Sequence, residues 1–280
     1  MSPVRIAILA PGLIGGSVAL AATRTHPKAK IAIWTRHSQS VPAVRQHLPN
    51  AEIGTDPSLV RGSDLVILAA PPSALPTLIQ SILPHLSPHT LVTDVSSIKL
   101  SVESSVAPLL QGQARWIGSH PMAGSEESGI QAARHDLFQK APVILTPSSS
   151  TSADTLQDAT SFWKSLGARV LSMSPAQHDS YVALISHLPH CIASTLVLAA
   201  GTSPLPLAGS GYRDTTRVAG GPSALWAEIL LSNRTEILAS LQTFHTSLTQ
   251  LTSAIEKSDS AGLTHILEKA AHIRRNLPAP

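Results

Sequence analysis

Cysteine is nearly absent: Cys191 is the single one in 280 residues, which excludes an intramolecular disulfide and any thiolate metal cluster. Charge is scarce too. Charged residues make up 13% of the chain, against roughly 25% in an average soluble protein. The hydrophobic share of 43% is ordinary, so charge-driven disorder is excluded and a packed core is within reach. Long hydrophobic runs are missing as well. The longest, such as Leu65 to Ala70 and Leu196 to Ala200, fall far short of the ~18 residues a bilayer span needs. The segment Met1 to Ala10 turns at once into glycines, with no cleavable small-residue site after a basic start, which argues against a signal peptide. No membrane span is expected, and the chain reads as cytoplasmic. Basic residues exceed acidic ones by only 20 to 17 and form no runs interleaved with aromatics, which disfavours nucleic acid as a partner. The slight excess suits an anionic small molecule. The 13 histidines show no HExxH-like spacing and most read as scattered over the surface, so no metal site is expected.

The first half alternates short β-rich apolar runs with helical patterns. Val4 to Leu9, Ile31 to Thr35, Leu65 to Ala70 and Leu91 to Val95 read as strands, and Leu13 to Arg24 as a helix. Within Ser73 to Leu83, the residues Leu75, Leu78, Ile79, Ile82 and Leu83 recur at helical spacing. That order predicts an α/β fold, a Rossmann-type doubly wound parallel sheet with helices on both faces, extended by strands at Arg115 to Gly118 and Val143 to Leu145. After a loop at Pro147 to Ser152, a helix over Asp154 to Leu166 and a strand over Arg169 to Ser172, the pattern becomes almost wholly helical. Helices are expected over Pro175 to Ala200, Pro222 to Leu251 and Ser253 to Arg275. A domain change is placed near residue 165, giving domains of 1–165 and 166–280. Helices this apolar need partners, and a homodimer is expected through an all-helical C-terminal dimerisation domain.

Directly after the first strand stands Ala10-Pro11-Gly12-Leu13-Ile14-Gly15-Gly16-Ser17, opening an amphipathic helix. This is the dinucleotide fingerprint with Ala in its first position. Glycines there let backbone approach a pyrophosphate and let helix and strand pack closely, while the helix N-terminus faces the negative charge. Gly12, Gly15 and Gly16 fill those roles, and Gly12, Leu13, Ile14 and Gly15 are the expected cofactor contacts, with Ser96 at a later strand end. A purely structural βα turn is the alternative; the turn's place at the opening of the first βαβ unit favours a nucleotide. At the end of the second strand, where an acidic residue would hold a ribose 2′-hydroxyl, the chain has Trp34-Thr35-Arg36-His37-Ser38. Thr35, Arg36 and His37 stand where a 2′-phosphate could be paired, which favours NADP over NAD, although Arg36 could equally be solvated on a loop.

Three segments place polar residues at the carboxyl ends of strands or near them: Asp94-Val95-Ser96-Ser97-Ile98-Lys99, Gly118-Ser119-His120-Pro121-Met122-Ala123-Gly124-Ser125-Glu126, and Ser186-His187-Leu188-Pro189-His190. Together with the glycine turn, with Gly211-Tyr212-Arg213-Asp214-Thr215-Thr216-Arg217 and with Trp226, this set resembles the prephenate and arogenate dehydrogenase family of tyrosine biosynthesis, from about residue 4 to about residue 275. The resemblance implies oxidative decarboxylation of a cyclohexadienol acid, with hydride passing to a nicotinamide. A base must take the proton of the ring 4-hydroxyl, and imidazole suits that task; His120 matches the family's catalytic histidine. Ser97 matches the serine that hydrogen-bonds it, and Ser96 or Ser97 could also cap a helix. Arg217 matches the arginine that binds the substrate carboxylate. His190 and His187 match the substrate side, and Glu126 and Trp226 match positions flanking the entrance. Lys99 could meet a cofactor or substrate anion, or be a solvated first-turn lysine.

The resemblance leaves the substrate side chain, keto acid or amino acid, undecided. Feedback by tyrosine is expected, if present, at the active site, since little chain follows the helical region. Two other readings stand beside it. A β-hydroxyacid dehydrogenase would use a lysine base on the long interdomain helix, where this chain has histidines. A non-catalytic NADP sensor would leave His120, Ser97 and Arg217 without a task.

Overall fold

The computed structural model describes residues 3–124 and 127–277. Strands β1 (Arg5–Leu9), β2 (Lys30–Trp34), β3 (Glu52–Gly54), β4 (Leu65–Leu68), β5 (Leu91–Asp94), β6 (Arg115–Pro121), β7 (Pro142–Thr146) and β8 (Arg169–Ser172) form one sheet in the order β3-β2-β1-β4-β5-β6-β7-β8. Helices α1 (Leu13–Thr25), α2 (Val41–His47), α3 (Leu75–Ile82), α4 (Leu100–Leu110) and α5 (Ala153–Ser165) cover its two faces. The central strands are apolar on both sides, as strands between two helical layers must be: Ile6, Ile8, Ile33 and Ile67 enter one core cluster, and Ala7, Leu9, Val66 and Leu68 the other. The sheet departs from the expected parallel arrangement in one place. β7 runs antiparallel to β6, pairing Gly118 with Thr146 and His120 with Ile144. Among its described residues, the link from Pro121 to Pro142 carries a short 3-10 turn at Ile130–Ala132 and no crossover helix of the kind that returns a chain for parallel pairing.

β8 pairs with β7, so the sheet continues past the boundary expected near residue 165. Beyond it the chain is helical: α6 (Pro175–Val182), α7 (Leu188–Ala200), α8 (Ser210–Thr216), α9 (Ser223–Ser232), α10 (Arg234–Glu256) and α11 (Ser260–Arg275). The helix expected over Pro175 to Ala200 is continuous, with a π-helical turn inside it, whereas the other two expected helices are broken, for identifiable reasons. Between α6 and α7 a π-helical turn spans Ala183–His187; Pro189, which has no N–H to give, lies in the first turn of α7. Asn233 breaks the second run with a non-helical backbone (φ −108°, ψ 29°), and its side chain bonds the Asp179 carbonyl at 2.9 Å. Ser258, at φ 52°, ends the third, and Asp259 caps α11 by accepting from Gly262 N–H at 2.9 Å.

The run Pro175–Ala200 is, by length and hydropathy alone, apolar enough to cross a bilayer, contrary to the expectation that no stretch would qualify. It is nonetheless built into the domain: His178, Asp179, His187 and His190, all on this run, are buried.

Candidate active site

Strand order reverses direction at β1 and β4, and in doubly wound sheets the crevice beyond the carboxyl ends at that point is where ligands bind. A cleft of about 580 Å3 opens there. Its walls bring together Gly12, Leu13, Ile14 and Gly15 from the glycine turn, Ser96 and Ser97 after β5, His120 on β6, and Arg217 and Trp226 from the helical half. Glu126 lies outside the described residues. Thr35, Arg36 and His37 do not line the cleft. Thr35 is buried, its hydroxyl donating to the His37 carbonyl at 3.0 Å, while Arg36 and His37 are exposed at the end of β2.

The glycine turn has the shape that a dinucleotide requires. Ala10 adopts φ 67°, the left-handed backbone for which glycine is usual; this costs an L-residue about 1–2 kcal/mol. Its carbonyl accepts from Gly12 N–H at 2.9 Å, and its own N–H donates to the Trp34 carbonyl at 3.0 Å. A Cβ on Gly15 would meet Ala69 Cβ at 2.8 Å and the Ala10 carbonyl at 3.1 Å, whereas one on Gly12 would meet nothing within 4 Å. So Gly15 lets α1 pack closely, and Gly12 leaves open space in the cleft wall. No side chain caps α1, which leaves its first N–H groups without intrahelical partners. Ser96 Oγ, in the same wall, is buried with no hydrogen-bond partner. Free backbone donors, a helix N-terminus and an orphaned hydroxyl around open space fit a pyrophosphate group.

The floor of the site is a buried polar assembly that the sequence did not reveal. Lys99 is 1% exposed, neither solvated nor available to a ligand anion. Its ammonium donates to Asp94 Oδ2 and, at 2.8 Å, to the Ser119 carbonyl. Asp94 also accepts from Ser96 N–H at 2.9 Å and Ser119 N–H at 3.2 Å, which locks the end of β5 to β6 just before His120. Neither Ser96 nor Ser97 caps α4. That end is capped from the helical half, where the Asp179 carboxylate accepts from Lys99 N–H at 2.8 Å and Leu100 N–H at 2.9 Å.

His120 is 7% exposed. The implied bond from Ser97 is absent; His120 Nδ1 instead lies 2.8 Å from His178 Nε2, and His178 Nδ1 lies 2.7 Å from Asp179 Oδ1. His178 and Asp179 were missed because Pro175-Ala-Gln-His-Asp-Ser180 reads as an ordinary polar first turn. Four of the 13 histidines, His120, His178, His187 and His190, are buried here, while the other nine are not, as the expectation that most lie towards the surface has it. His187 Nδ1 meets Asn233 Nδ2 at 3.3 Å, leaving Nε2 buried without a partner. The His190 ring stacks on Trp226 at 3.6 Å and 10°, and His187 meets the edge of the same indole at 6.2 Å. Thus the two histidines lie behind Trp226 and do not line the cleft.

Burial controls the protonation of this assembly. It pushes His120 well below the ordinary imidazole range, reinforced by His178, Lys99 and His187. Burial also lowers His178, against the opposing pull of Asp179, lowers His190, and takes His187 down to about 4. Each ring recovers its ordinary value, 6.5, on unfolding. The unfolded chain therefore binds more protons in the window below that value, and stability, fully present above it, falls as pH drops. The midpoint of thermal unfolding is expected to hold steady from about pH 8 to pH 7 and to fall steeply below about pH 6.5, with more than one proton taken up on unfolding near pH 5.5. A flat midpoint down to about pH 5 would contradict the burial of these rings.

Comparison with known proteins agrees with this geometry. A model described as the nucleotide-binding domain of prephenate dehydrogenase matches residues 18–172, and one described as its dimerization domain matches residues 174–269. The division between them falls where β8 ends. A prephenate dehydrogenase of Bacillus subtilis is 33% identical over 275 residues, covering 95% of this chain and 74% of that protein. An arogenate dehydrogenase structure from Synechocystis superposes with a TM-score of 0.84 at 32% identity, covering 97% of this chain and 99% of that one. A prephenate dehydrogenase structure from Aquifex aeolicus, in complex with hydroxyphenyl propionate and NAD+, does so with a TM-score of 0.90 at 28% identity, covering 98% of each chain. With both halves matched and the glycine turn and His120 on one cleft between them, the chain belongs to the prephenate dehydrogenase family.

Proposed function

We propose that this chain oxidises and decarboxylates prephenate, arogenate or both, passing hydride to a nicotinamide dinucleotide in tyrosine biosynthesis. The observation that carries the reading is the shared cleft: His120, Ser97 and Arg217 line the same space as the uncapped N-terminus of α1. Bound there, the nicotinamide supplies the hydride acceptor. His120, held unprotonated by its surroundings, takes the proton of the ring alcohol as the ring carbon is oxidised. Ser97, across the same cleft, orients that hydroxyl. Arg217 offers a planar, permanently charged fork to a substrate carboxylate. Trp226, held by its stack on His190, keeps water from the ring. Once the ring carbonyl has formed, carbon dioxide departs from the vinylogous position and the ring becomes aromatic.

For the finer cofactor choice the reading is NADP. Arg36 is exposed at the end of β2, and the segment from Trp34 to Ser38 has no acidic side chain to repel a 2′-phosphate. The helical half supports a homodimer, since Leu198, Leu207 and Leu231 are 79%, 88% and 73% exposed on the single chain, and apolar surface of that kind is expected to be covered by a second copy.

Steady-state kinetics with both acids and both cofactors tests the proposal. Turnover of at least one acid is expected, with kcat/KM at least about tenfold higher for NADP, about 1.4 kcal/mol. In Arg36→Ala that preference is expected to disappear while turnover with NAD stays unchanged. Failure to turn over either acid would contradict the function, and a tenfold preference for NAD would contradict the role given to Arg36.

A further inference from the structure

The buried chain of groups behind His120 determines which of its nitrogens carries the proton. Asp179 accepts from His178 Nδ1 at 2.7 Å while its oxygens also accept from Lys99 N–H and Leu100 N–H. A carboxylate in that position only accepts, so the proton of the bond to His178 resides on Nδ1 of the ring. In a neutral imidazole the other nitrogen is then an acceptor. His178 Nε2 faces His120 Nδ1 at 2.8 Å, so Nδ1 of His120 must donate, and its Nε2 is left with the lone pair.

We propose that His178 and Asp179 are positioning residues that hold His120 as the Nδ1–H tautomer, presenting Nε2 as the proton acceptor, and that steady the imidazolium once it forms. This rests on the reading of His120 as the base. Neither Lys99 nor His187 is hydrogen-bonded to His120 Nδ1. Lys99 is closed on Asp94 and the Ser119 carbonyl, and His187 is bonded to Asn233. Burial acts in the same direction, since it keeps both rings neutral near neutral pH. The arrangement also links the two halves of the chain. Asp179 and His178 lie on α6 and His120 on β6, so the base is aligned only when the helical half is seated against the sheet. The logic is that of a nucleophile's histidine oriented by a buried carboxylate, with a second imidazole interposed.

The test combines a spectroscopic and a kinetic readout on the full chain. In protein labelled with 15N at histidine rings, His120 is expected to show a protonated Nδ1 and an unprotonated Nε2 at about pH 8, above the ordinary imidazole value. A proton on Nε2 in the native protein would overturn the proposal without any variant. His178→Phe keeps the ring volume but removes the acceptor; it is expected to lower kcat by about 10- to 100-fold, with KM for both acid and cofactor within about twofold. In His178→Gln, the amide carbonyl can again accept from Nδ1, and most of the lost kcat is expected to return. Equal impairment of the Phe and Gln variants, or full kcat in His178→Phe, would overturn the proposal. His120→Asn separates this failure from that of the underlying reading: if it retains turnover, His120 is not the base, whereas if it is inactive while His178→Phe is fully active, the positioning role alone is wrong.

Discussion

His120→Asn is expected to lower kcat by about 10³-fold, with the affinity for the dinucleotide unchanged. The choice of asparagine matters. Its side-chain amide can still donate from close to the Nδ1 position toward His178 Nε2, 2.8 Å away in the native protein, so the buried partner is not orphaned and the packing of β6 against β5 and β7 is retained. What it lacks is any acceptor where Nε2 stood. The loss should therefore fall on proton removal, and the glycine turn, which belongs to β1 and α1, should bind the cofactor as before. Steady-state kinetics together with a direct titration of cofactor binding checks both halves of the statement. Turnover within tenfold of the native enzyme would mean that another group takes the proton.

Arg217→Ala has the second largest expected effect, and it should appear in a different constant. Arg217 opens the short 3-10 turn Arg217–Gly220, which packs against α7, and it lines the cleft. A charge-assisted hydrogen bond to a carboxylate contributes about 1.5–3 kcal/mol, so KM for the acid should rise by about 10- to 100-fold, with kcat reduced only a few-fold. Arg217→Lys restores the charge but not the planar fork, and should recover only part of the affinity. An unchanged KM in Arg217→Ala would place the substrate carboxylate elsewhere.

Much of the site could be read from the chain because the residues involved sit beside strand ends, where a doubly wound sheet presents its ligands. The β1–α1 turn announces itself by Gly12, Gly15 and Gly16, and His120 and Ser97 follow apolar runs whose strand character is plain. Contacts between distant segments were not legible. His178 and Asp179 acquire their meaning only when α6 docks on the N-terminus of α4, and nothing in their own neighbourhood signals that they will be buried. Lys99 shows the same limit from the other side. In sequence it is a lysine at the start of a helix, and only the fold places it against Asp94 and closes it off from water. Elements that were short or contained proline also escaped notice: α2 begins with a proline in its first turn, α4 runs through Pro108, and β3 and α8 are too short to show a period. The antiparallel setting of β7 was invisible because strand direction is a property of the connection and not of the strand's own residues.

The breaks in the helical half follow the same rule. Asn233 lies inside an unbroken apolar period and reads as a tolerated polar residue, yet its side chain is drawn to the Asp179 carbonyl and to His187. Its local cost to the helix is offset by closing the polar assembly beneath the cleft. Thus the residues hardest to read from the sequence are those that bind the two halves of the site together.

The central claim, that His120 Nε2 takes the proton of a ring alcohol held beside the nicotinamide, is tested most directly by a crystal structure of the enzyme with oxidised cofactor and a non-reactive analogue bearing the ring hydroxyl. The account expects that hydroxyl within hydrogen-bond reach of His120 Nε2, about 2.6–3.2 Å, with His120 Nδ1 still bonded to His178. A hydroxyl bonded to some other group, with His120 turned away from it, would contradict the account.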